Sequence, residues 1–236
     1  MVVTGGSGKL GAELKKLFPN AKFPGRAELD VTSEASMQSY FNNNPTKLIV
    51  HCAAFTSPPV CEKNPEKALL TNIIGTASLV RWAMKMDAKL IYISTEYVFS
   101  GREGLYSEID PVLPVNRYAW SKLGGECAVE MLPKTKFLII RCAFGPCPFP
   151  YDKAPYDQFT SREPVDVVAK QIGTLIDKNA HGIYHIGGWR KSVFEYAVGV
   201  SPDKDIRKCS RHDFDFMVPK DASLDTTKYR EFTKED

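Results

Sequence analysis

The chain has 236 residues, 43% of them hydrophobic and 25% charged, enough for one substantial core with a small lobe beside it. Its 31 basic and 28 acidic side chains leave a formal charge of +3, too small and too dispersed to point to a nucleic-acid partner. No apolar run is long enough to span a bilayer, and the N-terminus lacks a cationic segment followed by a cleavable apolar stretch, so a cytoplasmic protein is expected. The six cysteines are too sparse for a disulfide-stapled domain. Cys52, Cys127 and Cys142 lie in apolar stretches and are expected as buried free thiols. Cys142 and Cys147 lack a matching second pair of ligands, so no metal site is expected.

In chain order, Met1–Thr4 reads as a short strand and Gly5–Gly11 as a turn. A helix follows with Leu10, Leu14 and Leu17 on its apolar side, and Pro19 ends it. A weak strand is expected at Ala21–Phe23 and a helix at Ser33–Phe41. Lys47–Ala54 is almost continuously apolar, the pattern of a strand buried on both faces. Leu69, Ile73, Thr76, Leu79, Val80 and Ala83 mark a long helix over Pro65–Met86. A strand at Lys89–Ser94, a helix at Tyr118–Met131 and a strand at Lys136–Ile140 come next. A helix at Val165–Asp177 and a strand at Gly182–Ile186 complete the series.

This alternation predicts an α/β fold, a doubly wound parallel sheet of Rossmann type with a small, reduced C-terminal substrate lobe. Residues 1–142 form the expected dinucleotide-binding domain and 143–236 the substrate region, with 163–187 returning to the core. Pro146, Pro148, Pro150, Pro155 and Pro164 crowd a segment without periodicity, so 143–164 reads as a loop over the sheet edge. The polar C-terminal stretch suits either a small lobe or a layer against the core.

The segment V-T-G-G-S-G-K-L-G places Gly5, Gly8 and Gly11 between a strand and a helix. Gly5 can take the tight turn, Gly8 lets a pyrophosphate approach, and Gly11 lets the helix pack close to the strand. The helix start, with Leu10, offers unpaired N–H groups to an anion, and Lys9 can add positive charge near a 2′-phosphate. An acid after the second strand would mark NAD; here Phe23-Pro24-Gly25-Arg26 places a guanidinium there, suited to a 2′-phosphate. Asp30 is expected beside the adenine. NADP(H) is therefore favoured over NAD(H), with a solvated Arg26 as the competing reading.

Tyr118 and Lys122 stand four apart at a helix start, which puts the phenol and the ammonium on one face. The cation favours the phenolate, so the pair suits general acid/base work. Thr95, at the carboxyl end of the strand Lys89–Ser94, can hold a substrate carbonyl; Ser94 is the neighbouring alternative.

The chain resembles the extended short-chain dehydrogenase/reductases, and their dTDP-4-dehydrorhamnose reductase branch most of all. The resemblance runs through VTGGSGKLG at 3–11, GRAELDVTS at 25–33, CAAFTS at 52–57 and NIIGT at 72–76. It continues in YISTEYVFSG at 92–101, PVNRYAWSKLGGE at 114–126, IIRCAFG at 139–145, GIYHIGG at 182–188 and LDTTKY at 224–229. It implies Thr95, Tyr118 and Lys122 as the catalytic set, with Glu96 standing where an aspartate is usual. Ala53 and Ala54 would line the cofactor, and Thr56 would lie near the nicotinamide. The implied substrate is a nucleotide-linked 4-keto-6-deoxyhexose, reduced at C4 with Tyr118 as proton donor.

The interval before Val165 is shorter than in the family, which leaves Tyr151, Tyr156, Phe159 and Arg162 to stack on a base or pair with a phosphate, with aromatics that cap the core as the competing reading. Two other readings stay open. One is an epimerase, dehydratase or combined epimerase/reductase drawing on Cys142, Cys147, His181 or His185; the other is a non-catalytic NADP-binding regulatory protein. A homodimer through the helices Pro65–Met86 and Tyr118–Met131 is a further expectation.

Overall fold

The computed structural model describes residues 1–234. Strands β1 (Val2–Thr4), β2 (Leu48–His51), β3 (Lys89–Ile93), β4 (Phe137–Arg141) and β5 (Gly182–His185) lie side by side in that order, every pair parallel. Parallel neighbours require crossovers, supplied by α1 (Lys9–Leu17), α2 (Glu34–Asn43), α5 (Gly75–Met86), α6 (Arg117–Val129) and α7 (Val165–Asp177). Side chains alternate across the sheet. Val2, Ile49, Leu90, Tyr92 and Ile139 pack with Met37, Leu79 and Val129 from α2, α5 and α6. Val3, Val50, Ile91, Ile93, Leu138 and Ile140 pack with Leu14 of α1 and with Val168 and Ile172 of α7.

Burying each large aliphatic is worth about 1.5–3 kcal/mol. The whole scale of strand propensity spans only about 1 kcal/mol. Burial on two faces therefore decides these strands. The helices begin where side-chain oxygens accept from their first turns: Ser33 from Ser36 N at 3.2 Å in α2, and Asn116 from Ala119 N at 2.9 Å in α6. On α6, Gly125 lies so close to the sheet that a Cβ would stand 2.2 Å from the Tyr92 hydroxyl.

The expected strand at Ala21–Phe23 shrinks to one bridge between Lys22 and Val2. Only a few residues separate Pro19 from Pro24, and neither proline donates to a ladder. β2 stops at His51, and Cys52–Ala54 run on past the sheet edge. The helix expected over Pro65–Met86 is α4 (Pro65–Ala68), a π-helical turn (Leu69–Ile74) and α5 in succession, preceded by α3 (Pro58–Lys63), which carries no strong periodic signal. Cys127, expected as a buried thiol, is exposed on α6; Cys142 is buried and Cys52 half-buried.

Residues 143–164 are not a bare loop over the sheet edge. Phe144–Gly145 pairs with Glu163–Pro164, Lys153–Pro155 with Arg207–Cys209, and Phe159–Thr160 with Lys191–Ser192. With α8 (Val193–Gly199) they enclose a small core of Phe149, Ala154, Val193, Tyr196, Ala197 and Ile206. Ladders this short carry no readable alternation; Pro155 and Pro164 sit on two-stranded ladders, where a missing N–H is tolerated, and Pro146, Pro148 and Pro150 lie between Phe144–Gly145 and Lys153–Pro155. The chain then returns: Asp221 and Leu224 bridge to Phe159 and Tyr106, and α9 (Thr227–Thr233) packs on β5 through Phe232 and Tyr184, rings 5.2 Å apart. Among the described residues, no helix is long and apolar enough to cross a membrane.

Candidate active site

The strand order reverses at β1, which has Lys22 on one side and β2 on the other. The crevice at the carboxyl ends of the strands beside such a reversal is where open α/β sheets bind ligands. Gly5 turns the chain there with φ +69°, and a Cβ on it would stand 2.6 Å from the Ala53 nitrogen. Loop and β2 exit thus meet with no room between them. Gly8 caps α1 without a side-chain hydrogen bond, and the first turn holds no acid. The backbone N–H groups there are left for an anion. Lys9 is exposed at this point, whereas the Leu10 side chain is buried in the core, so Leu10 can offer an anion only its backbone.

Arg26 is 80% exposed, with Nε 3.0 Å from Asp30 Oδ2. The Asp30 carboxylate also accepts from Thr32 N at 2.9 Å and Thr32 Oγ1 at 2.7 Å. Partial burial would raise its pKa, but the Thr32 bonds and then Arg26 outweigh that and lower it. Asp30 thereby holds the arginine.

Ala53, Ala54 and Thr56 follow β2, the first two half-buried and Thr56 exposed. Asn72 fastens this segment from the π-helical turn: Phe55 N donates to its Oδ1 at 2.7 Å, and its Nδ2 donates to Phe55 O at 2.9 Å and Ser121 Oγ at 2.8 Å. Ser121 lies between Tyr118 and Lys122 on α6, so Asn72 ties the segment after β2 to α6. Sequence reasoning missed Asn72. Its signal was a polar residue on the inner side of an apolar helix.

Thr95 caps a short 3₁₀ turn (Glu96–Val98), accepting from Tyr97 N at 3.2 Å. Its hydroxyl lies against Tyr118, whose pKa burial drives above the ordinary phenol range, with Thr95 acting in the opposite direction. Ser94 is not the alternative: its hydroxyl is given to Glu126. Lys122 is 3% exposed, its ammonium 4.0 Å over the Tyr92 ring. Burial lowers its pKa to about 8, against the pull of Glu126. Thr95, Tyr118 and Lys122 thus converge at one strand edge.

The other acid/base candidates lie scattered over the fold. Burial pushes the Cys142 thiol up to about 12, which keeps it neutral. Cys147 lies on the lobe and His181 is exposed. His185 is buried against Tyr106 O at 2.9 Å, its pKa lowered to about 3 by burial and then by Arg141. Among the described residues no cluster of His, Cys, Asp and Glu could hold a metal ion.

The lobe reaches the same edge. Thr160 Oγ1 donates to Glu96 Oε1 at 2.5 Å, Ser161 N donates to Oε2 at 3.2 Å, and Gln158 Nε2 donates to the Tyr97 hydroxyl at 2.6 Å. The Tyr97 and Tyr118 rings are 6.4 Å apart. Arg162 makes no ion pair among the described residues, its Nε is buried without a partner, and its guanidinium lies 5.9 Å from the Tyr196 ring. Tyr151 and Tyr156 are exposed, and the Arg190 guanidinium covers Phe159 at 3.8 Å.

A doubly wound parallel sheet with a glycine loop after β1, and with Thr95, Tyr118 and Lys122 at its carboxyl edge, defines a Rossmann-type protein of the extended short-chain dehydrogenase/reductase class. The model of the RmlD substrate binding domain family matches residues 1–233, and the chain belongs to that family. It is 31% identical to a dTDP-4-dehydrorhamnose reductase of Aggregatibacter actinomycetemcomitans, over 73% of this chain and 61% of that one. It is 26% identical to the methionine adenosyltransferase 2 subunit beta of Rattus norvegicus, over 97% of this chain and 80% of that one. A solved hypothetical dTDP-4-dehydrorhamnose reductase from Sulfolobus tokodaii superposes with a TM-score of 0.89 at 27% identity, over 100% of this chain and 95% of that one. The Bacillus anthracis dTDP-4-dehydrorhamnose reductase, solved in complex with NADP, gives a TM-score of 0.86 at 27% identity, over 98% and 90%. The chain thus spans about three fifths of the first of these curated relatives, yet nearly all of the two solved chains.

Proposed function

We propose that the chain is an NADP(H)-dependent reductase of a nucleotide-linked 4-keto-6-deoxy sugar. The observation that carries this reading is the convergence of Thr95, Tyr118 and Lys122 beside the glycine loop. The residues fit a dinucleotide: the first turn of α1 offers N–H groups that no side chain caps, and the loop keeps side chains out of the pyrophosphate's path. Gly5, Gly8, Lys9, Leu10 and Gly11 hold the pyrophosphate, Ala53, Ala54 and Thr56 the nicotinamide side, and Lys122 the nicotinamide ribose. Arg26, held by Asp30, takes the 2′-phosphate that distinguishes NADP(H). A reduced nicotinamide bound here supplies the hydride for the carbonyl carbon.

Thr95 Oγ1 donates to the carbonyl oxygen and holds it beside Tyr118. The Tyr118 hydroxyl delivers its proton to that oxygen as it becomes a hydroxyl, and Lys122 steadies the phenolate left behind. The raised pKa of Tyr118 suits reduction, because the phenol must enter the reaction protonated. Residues 1–142 serve the cofactor and 143–236 the substrate, with Arg162 on a phosphate and Tyr151 or Tyr156 on the base. Leu69, Leu70 and Ile74 of the π-helical turn and Trp120 of α6 are large apolar side chains left exposed, the face on which a second copy would close a homodimer.

The relative named as a subunit of methionine adenosyltransferase favours a second reading, an NADP-binding regulatory protein. Turnover separates the two. With NADPH and a panel of 4-keto nucleotide sugars, the wild type oxidises cofactor. Tyr118→Phe loses about 10²–10⁴-fold in kcat while its affinity for NADPH is retained. Equal turnover by both proteins overturns the role of Tyr118; no turnover of any keto sugar by the wild type overturns the reductase in favour of the regulatory protein.

A further inference from the structure

Glu126 lies on the face of α6 that carries Tyr118 and Lys122, at intervals of four residues, and is 1% exposed. Its Oε1 accepts a very short hydrogen bond from Ser94 Oγ. Arg141 of β4 reaches it with Nη2 at 2.8 Å from Oε2 and Nε at 3.1 Å from Oε1. Behind Arg141 stands His185 of β5, whose Nδ1–H donates to Tyr106 O at 2.9 Å. That leaves Nε2 as the acceptor facing Arg141 Nη1 at 3.5 Å. One carboxylate therefore joins the residue preceding Thr95, the helix carrying Lys122, and strands β4 and β5.

A buried ion pair kept for stability alone is poorly explained, since well-packed apolar residues do as well or better. The third bond, to Ser94, distinguishes this one: it fixes the end of β3 where Thr95 emerges. We infer that Glu126 is a positioning residue that sets Thr95 through Ser94 and holds Lys122 in its cationic form, an inference resting on the reading of this edge as a hydride-transfer site.

The groups facing Lys122 support the electrostatic half. Cys52 follows β2 and Cys142 follows β4, and burial pushes both thiols up to about 12. His51 of β2, bonded to Thr4 and Thr76, is held neutral, its pKa lowered to about 3 by burial and then by Lys122 itself. Tyr92 of β3 offers its ring face, and Tyr118 is a neutral phenol at pH 7. Arg141 is the opposing cation and is engaged by Glu126. Glu126 is then the anion that keeps a buried ammonium charged.

The test uses the full chain without cofactor. The pH dependence of Lys122 acylation by a small amine reagent is followed by peptide mass spectrometry. Wild type is expected to show a midpoint near the value of about 8 that burial gives Lys122. Glu126→Gln should lower that midpoint, and a fall of one pH unit raises the neutral amine at pH 7 roughly fivefold. Glu126→Gln with Arg141→Met removes the stranded guanidinium, should the single variant fail to fold, and is expected to show a smaller fall of the same sign, because the opposing cation leaves with the anion. Ser94→Ala, which keeps the ion pair, should leave the midpoint unchanged and lower kcat without raising KM for NADPH. An unshifted Lys122 midpoint in both Glu126 variants, or a wild-type kcat in Ser94→Ala, overturns the inference. Absence of turnover in the wild type overturns the reductase reading instead, and the Lys122 midpoint then decides the role of Glu126.

Discussion

Replacing Gly5 with alanine adds one methyl group at the point where β1 hands over to α1. The backbone there has φ +69°, a left-handed conformation that costs an alanine about 1–2 kcal/mol. The new Cβ would also stand 2.6 Å from Ala53 N and 2.8 Å from Ala53 Cα and Cys52 C. All three are backbone atoms, so no side-chain rotation relieves the contact, and overpacking of this kind costs about 1–3 kcal/mol. Together these give about 2–5 kcal/mol. Against an ordinary domain stability of about 5–15 kcal/mol, the variant stays folded but weakened. Relief requires the segment after β2 to move, and with it the wall proposed for the cofactor. Even 1.4 kcal/mol of mispositioning is about a tenfold loss of NADPH affinity. Urea unfolding reads the first effect and fluorescence titration with NADPH the second. An unchanged urea midpoint together with an unchanged Kd would refute the reasoning.

Arg26→Ala should raise the Kd for NADPH about tenfold or more, because a charge-assisted hydrogen bond is worth about 1.5–3 kcal/mol, and leave NADH binding alone; a selective loss of NADH affinity would reverse the assignment. Its exposed ion pair with Asp30 should contribute less than about 1 kcal/mol to stability. Arg162→Ala is expected to raise KM for a nucleotide sugar more than it lowers kcat, and an unchanged KM would remove the phosphate contact. Glu96, whose folded pKa burial raises from 4.5 to about 7, binds more proton in the folded than in the unfolded state across that interval. Its contribution to stability is therefore present at low pH and lost as pH rises from about 4.5 through about 7. Glu96→Gln should flatten that slope in thermal melts across the same window, and an identical slope would show that another group carries it.

The parallel sheet was legible because β2, β3 and β4 are buried on both faces and read as continuous apolar runs. The glycine loop and the Tyr118–Lys122 spacing were legible because their chemistry is local: a turn, a helix start, two positions one turn apart. Cys127 misled because an apolar neighbourhood in sequence does not say which face of a helix a residue occupies. The segment 143–164 misled because two-residue ladders, paired with partners far along the chain, leave no periodicity to find.

The same division separates what the sequence by itself determined from what only tertiary structure decided. Backbone geometry and short-range spacing settled that a glycine turn between strand and helix is followed, farther along, by a tyrosine and a lysine on one helix face. Which hydroxyl is free was decided by long-range pairing: Glu126, on a helix distant in sequence, takes Ser94 and leaves Thr95 to face Tyr118. The fastening of β2's exit by Asn72, and of the Glu96 turn to the lobe by Thr160 and Ser161, likewise appears only in three dimensions. Buried polar groups must find partners wherever the fold brings them, and no local pattern encodes that meeting.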